Sequence, residues 1–126
     1  MLRILVVDDD PDTTQSMACV LRLWGHEVFT AHDGAAAVRA ADQFRPDVVL
    51  LDLDLGSRPD GYEVARQIRR QAGPQPVILC VSGYGRGDDR RRSRAAGCDG
   101  HLLKPVNPDD LRRLLQEIQG RSPPAA

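Results

Sequence analysis

In four places this chain sets a chemically active side chain directly after an apolar run. Ile4-Leu5-Val6-Val7 leads into Asp8-Asp9-Asp10, and Val48-Val49-Leu50-Leu51 into Asp52, with Asp54 two residues further on. Ile78-Leu79-Cys80-Val81 ends in Ser82-Gly83, and Leu102-Leu103 in Lys104-Pro105. Carboxylates crowded together repel, so they either keep protons or recruit a cation. Mg²⁺ suits such a set, because it takes oxygen ligands, keeps several waters and can carry phosphate oxygens as well. Lys104 is the single lysine beside sixteen arginines, and its compact ammonium is a point charge suited to a phosphate. Ser82 adds a hydroxyl donor. Asp52 is then a candidate nucleophile, since carboxylates form aspartyl phosphates. Acidic residues after strands also serve as turn formers and helix caps. That plainer role is preferred for Asp10, Asp33 and Asp60, whereas Asp8, Asp9 and Asp52 are taken as functional.

These side chains can meet only if the right elements carry them. Arg3–Val7, Glu27–Ala31, Asp47–Leu51, Pro76–Val81 and His101–Leu103 have the apolar, β-branched character of strands. Between them lie helical periods. Met17, Val20, Leu21 and Trp24 mark one apolar face and Gly25 a stop; Ala37, Ala40, Ala41 and Phe44 mark a second helix, broken at Pro46. A third helix centres on Val64, Ala65 and Ile68. A very polar fourth spans 88–96, and Leu111, Leu114, Leu115 and Ile118 face inward on the last. Five strands alternating with five helices predict an α/β fold, a parallel sheet covered on both faces. The natural arrangement is a doubly wound sheet of order 2-1-3-4-5, whose ligands sit beyond the carboxyl ends of the strands. All the residues singled out above then converge on one rim.

Composition narrows the alternatives. The 126 residues suit one domain, able to form a core without disulfide or metal. Seventeen basic against eighteen acidic residues give a net charge of −1, which argues against a nucleic-acid or membrane-surface binder. Apolar runs of about five residues are too short to span a bilayer, and the start shows no charged lead with an apolar signal segment. Cys19, Cys80 and Cys98 are odd in number and widely spaced, so neither a disulfide scaffold nor a zinc site is expected, and a cytoplasmic location is. Cys19 and Cys80 are expected as small core residues. His26 and His32 are expected as polar edge residues, Trp24 as a core or helix-end anchor, and Arg90, Arg91, Arg92 and Arg94 as a solvated helix face.

Taken in order, Ile4–Asp10, Val49–Leu53, Asp60-Gly61-Tyr62-Glu63, Val81-Ser82-Gly83 and Leu103-Lys104-Pro105 resemble the motif set of the response-regulator receiver domain, a flavodoxin-like fold. The resemblance covers residues 1–119 and leaves 120–126 as a flexible C-terminal tail. It implies a phosphorylatable signalling domain rather than an enzyme. Such a domain takes a phosphoryl group from a histidine kinase or phosphotransfer domain onto Asp52 and passes the signal to a downstream protein. It implies Mg²⁺ as cofactor, bound directly by Asp9, Asp52 and the backbone carbonyl of Asp54, with Asp8 acting through water. Ser82 matches the switch hydroxyl, Lys104 the phosphate-binding lysine and Pro105 the proline after it, often cis. His101 stands at the switch position usually held by Tyr or Phe. The loop Leu55-Gly56-Ser57-Arg58-Pro59 is one residue longer than the family's usual form and lacks its usual proline. Ser82 through Lys104 looks most like receivers attached to hybrid sensor kinases. No nucleic acid or membrane partner is implied, and the expected state is a monomer or weak dimer.

Three other readings compete. Asp52-Leu53-Asp54 resembles the nucleophile and acid pair of haloacid-dehalogenase-like phosphatases, but that family's second acidic set should follow the lysine, and here the acid pair comes first, at Asp8-Asp9. A degenerate receiver that only binds proteins would not need the intact acids, acceptor and lysine. A nucleotide-binding flavodoxin-like protein would carry a Gly-rich phosphate loop after the first strand, where this chain has aspartates.

Overall fold

The computed structural model describes residues 1–83 and 87–120, with side chains described except at 87–90. Strands β1 (Arg3–Val7), β2 (Glu27–Ala31), β3 (Val48–Asp52), β4 (Val77–Ser82) and β5 (Gly100–Leu103) alternate with helices α1 (Pro11–Leu23), α2 (Gly34–Phe44), α3 (Gly61–Arg69), α4 (Gly87–Ala96) and α5 (Pro108–Gly120). The sheet order is β2-β1-β3-β4-β5, parallel at every pairing. The expected doubly wound architecture is therefore present. α5 runs on through Gly120, and the rest of the expected tail, 121–126, lies outside the described residues.

The central strand explains the layering. All five residues of β3 are buried, as a parallel strand covered on both faces requires. Leu5, Val7, Val49, Leu51, Ile78 and Cys80 point to one face, against α2, α3 and the end of α4. Ile4, Val6, Val48, Leu50, Leu79 and Val81 point to the other, against α1 and α5. Helix starts follow from local chemistry. Asp10, Asp33 and Asp60 each accept a backbone N–H of the first turn, from Asp12, Ala36 and Glu63 respectively, which satisfies donors that the helix cannot. These three acids are caps, as expected.

Several details differ from the sequence reading. β3 and β4 each start and end one residue later, so Asp52 and Ser82 are the last residues of their strands, paired into the sheet. The buried stripe of α1 is Thr14, Ala18 and Leu21, while Met17 and Trp24 are only partly buried. Thr14 is held inward by hydrogen bonds to the Pro11 carbonyl (2.9 Å) and His32 Nε2 (3.0 Å), which rotates the helix away from its purely apolar face. Cys19 is exposed. Cys80 is buried as expected, but it is joined to Cys98 by a disulfide; a sequence separation of 18 hid a pair that α4 folds back together. His26 accepts the Leu2 N–H at Nδ1 (3.1 Å), and burial lowers its pKa. Trp24 caps α1, with the Arg112 guanidinium 5.5 Å from its ring centroid. Arg91, Arg92 and Arg94 are exposed, with Arg92 lying over the Tyr62 ring; the Arg90 side chain lies outside the described residues.

Candidate functional site

The carboxyl ends of β1, β3, β4 and β5 deliver the site. Hydrogen bonds beyond the strand ends bring the segments together: Leu53 N–H donates to the Val81 carbonyl (2.9 Å) and Lys104 N–H to the Ser82 carbonyl (2.8 Å). Asp52 is 2 % exposed and Asp8 6 %, whereas Asp9 is open to solvent. Carboxylate oxygens of these three residues lie within 4.8 Å of one another. Lys104 reaches in from β5, with Nζ 2.9 Å from Asp52 Oδ2 and 3.5 Å from Asp8 Oδ2. The other oxygen of Asp52 accepts the Asp54 N–H (3.0 Å), and Asp8 Oδ1 accepts the Asp10 N–H (2.9 Å). Both buried carboxylates are thus fixed in orientation. The Lys104–Pro105 peptide is cis, as is Arg58–Pro59 in the loop after the acceptor strand.

The electrostatics follow from three acids sharing one ammonium. Burial raises the pKa of Asp52, against the pull of the Lys104 and Asp54 hydrogen bonds, and the Asp8 charge adds to the rise. Asp9 is raised by desolvation and by its hydrogen bond and charge repulsion with Asp8. Burial works against the Lys104 charge, but its hydrogen bond and attraction to Asp52, with the Asp8 charge behind them, outweigh it and raise the pKa. A hard dication among the three carboxylates would favour their charged forms against both the burial that chiefly raises Asp52 and Asp9 and the repulsion from Asp8 that adds to it. The donor set of oxygen ligands on a buried rim therefore fits Mg²⁺.

Ser82, 8 % exposed, hydrogen-bonds through Oγ to His101 Nε2 at 2.7 Å. Sequence had placed both at a switch without foreseeing that they touch. The rim opens on one side into a cavity of about 470 Å³ lined by Asp8, Asp52 and Lys104 and by apolar Met17, Leu50 and Val106. Gly61 has a role that its motif position did not reveal. A Cβ there would lie 2.5 Å from Leu53 Cα and 2.6 Å from the Asp52 carbonyl oxygen, so only glycine lets α3 start this close to the end of β3. Its place directly after the Asp60 cap is the available sequence signal.

Comparison with known proteins decides the family. Residues 4–116 match the model of the response regulator receiver domain. The chain belongs to this family. Among curated relatives of the receiver, it is 43% identical over 103 residues to the transcriptional regulatory protein PrrA of Mycobacterium tuberculosis, covering 82% of this chain and 43% of that protein. It is 39% identical over 122 residues to TcrA of the same organism, covering 97% of this chain and 47% of TcrA. The receiver therefore spans under half the length of these two relatives. Among solved structures, the receiver domain of the sensor histidine kinase PA1611 from Pseudomonas aeruginosa superposes with a TM-score of 0.84 at 34% identity, covering 94% of this chain and 98% of that one. That structure is described as having a magnesium ion coordinated in its active site cleft. The receiver family belongs to two-component signalling rather than to classical enzymes. No helix among the described residues is long and apolar enough to cross a membrane.

Proposed function

We propose that the receiver unit, residues 1–119, accepts a phosphoryl group on Asp52 from the phosphohistidine of a histidine kinase or phosphotransfer domain. The observation that carries this reading is the setting of Asp52: a buried carboxylate at a strand end, oriented by Lys104 and the Asp54 N–H, within an acidic cluster. One Asp52 oxygen attacks phosphorus, the N–P bond of the phosphohistidine breaks, and the imidazole nitrogen leaves with its electron pair. Asp9, Asp52 and the Asp54 backbone carbonyl are the proposed Mg²⁺ ligands, with Asp8 acting through water. Mg²⁺ supplies charge neutralisation for the transferring phosphoryl oxygens. Lys104 is set to follow from the carboxylate to a phosphoryl oxygen, since its ammonium already lies on Asp52 Oδ2.

The switch is proposed to begin at Ser82. Its hydroxyl is engaged with His101 Nε2; turning toward a phosphoryl oxygen on Asp52 would release the imidazole to reorient at the β5 edge, beside the Lys104–Pro105 peptide. That change would be read by a downstream protein on the α4–β5–α5 side. The reading requires neither nucleic acid nor membrane and is compatible with a monomer or weak dimer in the cytoplasm.

Incubation with phosphoramidate and Mg²⁺ should add one phosphoryl group by intact mass, and Asp52→Asn should add none. Equal labelling of the variant would overturn the assignment. Continuous turnover of a phosphomonoester would favour the phosphatase reading instead.

A further inference from the structure

Cys80 and Cys98 lie outside the acidic rim, and nothing in the phosphoacceptor chemistry uses them. Cys80 is fully buried on β4. It pairs in register with Leu51 of β3, the residue before Asp52, and with His101 of β5. It therefore stands between the acceptor strand and the strand of the proposed switch. Register partners and alternate residues of a parallel sheet share a face, so Cys80, Ser82 and His101 project to the same side, against α4. Cys98 lies in the turn between α4 and β5, with its Cα 6.2 Å from that of Cys80. That separation is within the roughly 4.4–6.8 Å that a disulfide spans.

The turn that presents Cys98 is held by bonds that do not involve sulfur. Arg69 donates from Nε to the Gly97 carbonyl (2.9 Å) and from its terminal nitrogens to the Pro76 carbonyl (2.7 Å) and Asp99 Oδ2 (2.6 Å). Asp99 exchanges two bonds with Ile78, one through its N–H and one through Oδ2, both 2.8 Å. Gly97 has φ +111° and packs its α-carbon against Arg69, a conformation and approach that favour glycine. Contacts that do not involve sulfur thus also hold the turn that places Cys98 beside Cys80. Cys98, 8 % exposed against 0 % for Cys80, also lines a surface depression with Arg69, Arg94 and Asp99.

We propose that Cys80 and Cys98 form a reversible dithiol–disulfide couple, exchanging with a low-molecular-weight disulfide such as oxidised glutathione, and that oxidation fastens the α4–β5 turn to β4. Cys98, the less buried of the two and the one at the surface depression, attacks one sulfur of the glutathione disulfide as its thiolate and releases one glutathione thiol. Cys80 then attacks the Cys98 sulfur of the mixed disulfide and releases the second. The two cysteines lose two electrons and two protons, and one glutathione disulfide becomes two glutathiones. The covalent tie joins residues at a sequence separation of 18, closing a loop that contains all of α4, and removes freedom from the segment next to His101. Its consequence for signalling rests on the phosphoacceptor reading above; the redox step and its effect on the turn do not.

The test equilibrates the full chain in buffers of graded oxidised-to-reduced glutathione ratio, followed by acid quench, alkylation and intact mass. Cys19, exposed on α1, reports the reactivity of an ordinary thiol in the same sample. Cys80 and Cys98 should pass together between two alkylated thiols and none. Amide hydrogen exchange in the absence of any phosphoryl donor should be about tenfold or more faster at 96–101 in the dithiol form. Exchange at the β1 amides should not change. Cys98→Ala should exchange like the reduced parent under oxidising and reducing buffers alike. A pair that stays bonded at every ratio, or never bonds, overturns the couple. Equal exchange in the two states overturns the fastening. Phosphoryl uptake is measured separately, so loss of labelling at Asp52 would count against the acceptor reading and leave the thiol result standing.

Discussion

The two ends of the sheet treat charge in opposite ways. At the amino end the acids beside the strands are each set against a cation or a backbone N–H. Glu27 meets Arg3 Nε at 3.6 Å, Asp47 accepts the Arg3 N–H at 2.8 Å, and Asp99 takes both Arg69 and the Ile78 N–H. At the carboxyl end Asp8 and Asp52 share the ammonium of Lys104, and Asp9 beside them feels it only at longer range. The first arrangement makes the protein more stable, and the second makes it less so until a cation arrives. The acidic rim keeps a binding capacity that a fully paired rim would have lost, since a carboxylate already neutralised has less to offer a dication. The rim that could hold a cation stands on a scaffold whose acids are set against positive groups or backbone donors at the other end.

Breaking the paired end should have the largest effect on stability. Arg69→Ala removes the donor to two carbonyls and a carboxylate at once. A loss of about 2–3 kcal/mol is expected, because the Gly97 and Pro76 carbonyls are part-buried and lose this donor, while Asp99 keeps the Ile78 N–H. Urea unfolding would show it as a lower midpoint at unchanged slope; a loss below about 0.5 kcal/mol would mean that the clamp is a surface ion pair and no more. The mirror experiment at the other end should have the opposite sign. Asp9→Asn in chelator should leave the protein as stable as the parent or better, by less than about 1 kcal/mol, since Asp9 is open to water and screened. With saturating Mg²⁺ the parent should gain and the variant should not, and calorimetric titration should show the variant's Mg²⁺ affinity weaker by about tenfold or more. Unchanged affinity would remove Asp9 from the ligand set.

The pH dependence sharpens the contrast further. Asp52 and Asp9 both have folded-state pKa values above the ordinary 3.8. In the window between 3.8 and the raised values the folded chain holds more protons than the unfolded one, so metal-free stability falls as pH rises through it. Mg²⁺ competes with those protons, so its apparent affinity should rise over the same window. Chelator and saturating Mg²⁺ curves of unfolding free energy should therefore diverge with increasing pH. Parallel curves would show that the raised carboxyls are not where the cation binds.

Legibility followed chemistry that repeats locally. The strand-helix alternation, the three aspartate caps and the sheet order were open to sequence because each depends on a period or on a residue beside its own helix. The meeting of the acid pair, Asp52, Ser82 and Lys104 on one rim was legible because each stands at or just after the end of an apolar run, and a parallel sheet puts all strand ends on one side. What sequence left unread depends on contacts across the fold. The stripe of α1 turned because Thr14 found partners on Pro11 and His32, which an apolar count cannot register. The Cys80–Cys98 pair needs α4 to fold back on β4, and Arg69 looks like any other arginine until the 97–99 turn is placed beside it. The Ser82–His101 contact was hidden for the same reason, being a meeting of neighbouring strands 19 residues apart.

The smallest effect should come from the most exposed pairing at the satisfied end. Asp47 Oδ2 accepts the Arg3 N–H at a solvent-exposed position, and water can replace it. Asp47→Ala should cost about 0.5–1 kcal/mol, and Asp47→Asn less, because the amide oxygen can still accept that bond. The informative quantity is the dependence on Mg²⁺. Asp47 lies just before β3 and Asp52 at its end, and a strand of five residues separates them by roughly 17 Å. At that distance the two ends should act independently, so the Asp47→Ala decrement should be the same in chelator and in Mg²⁺, and Asp47→Ala with Asp9→Asn should be additive within about 0.5 kcal/mol. A decrement that changes with Mg²⁺ would mean that β3 transmits charge state from one end of the sheet to the other, and the rim and its scaffold would then have to be treated as one coupled unit.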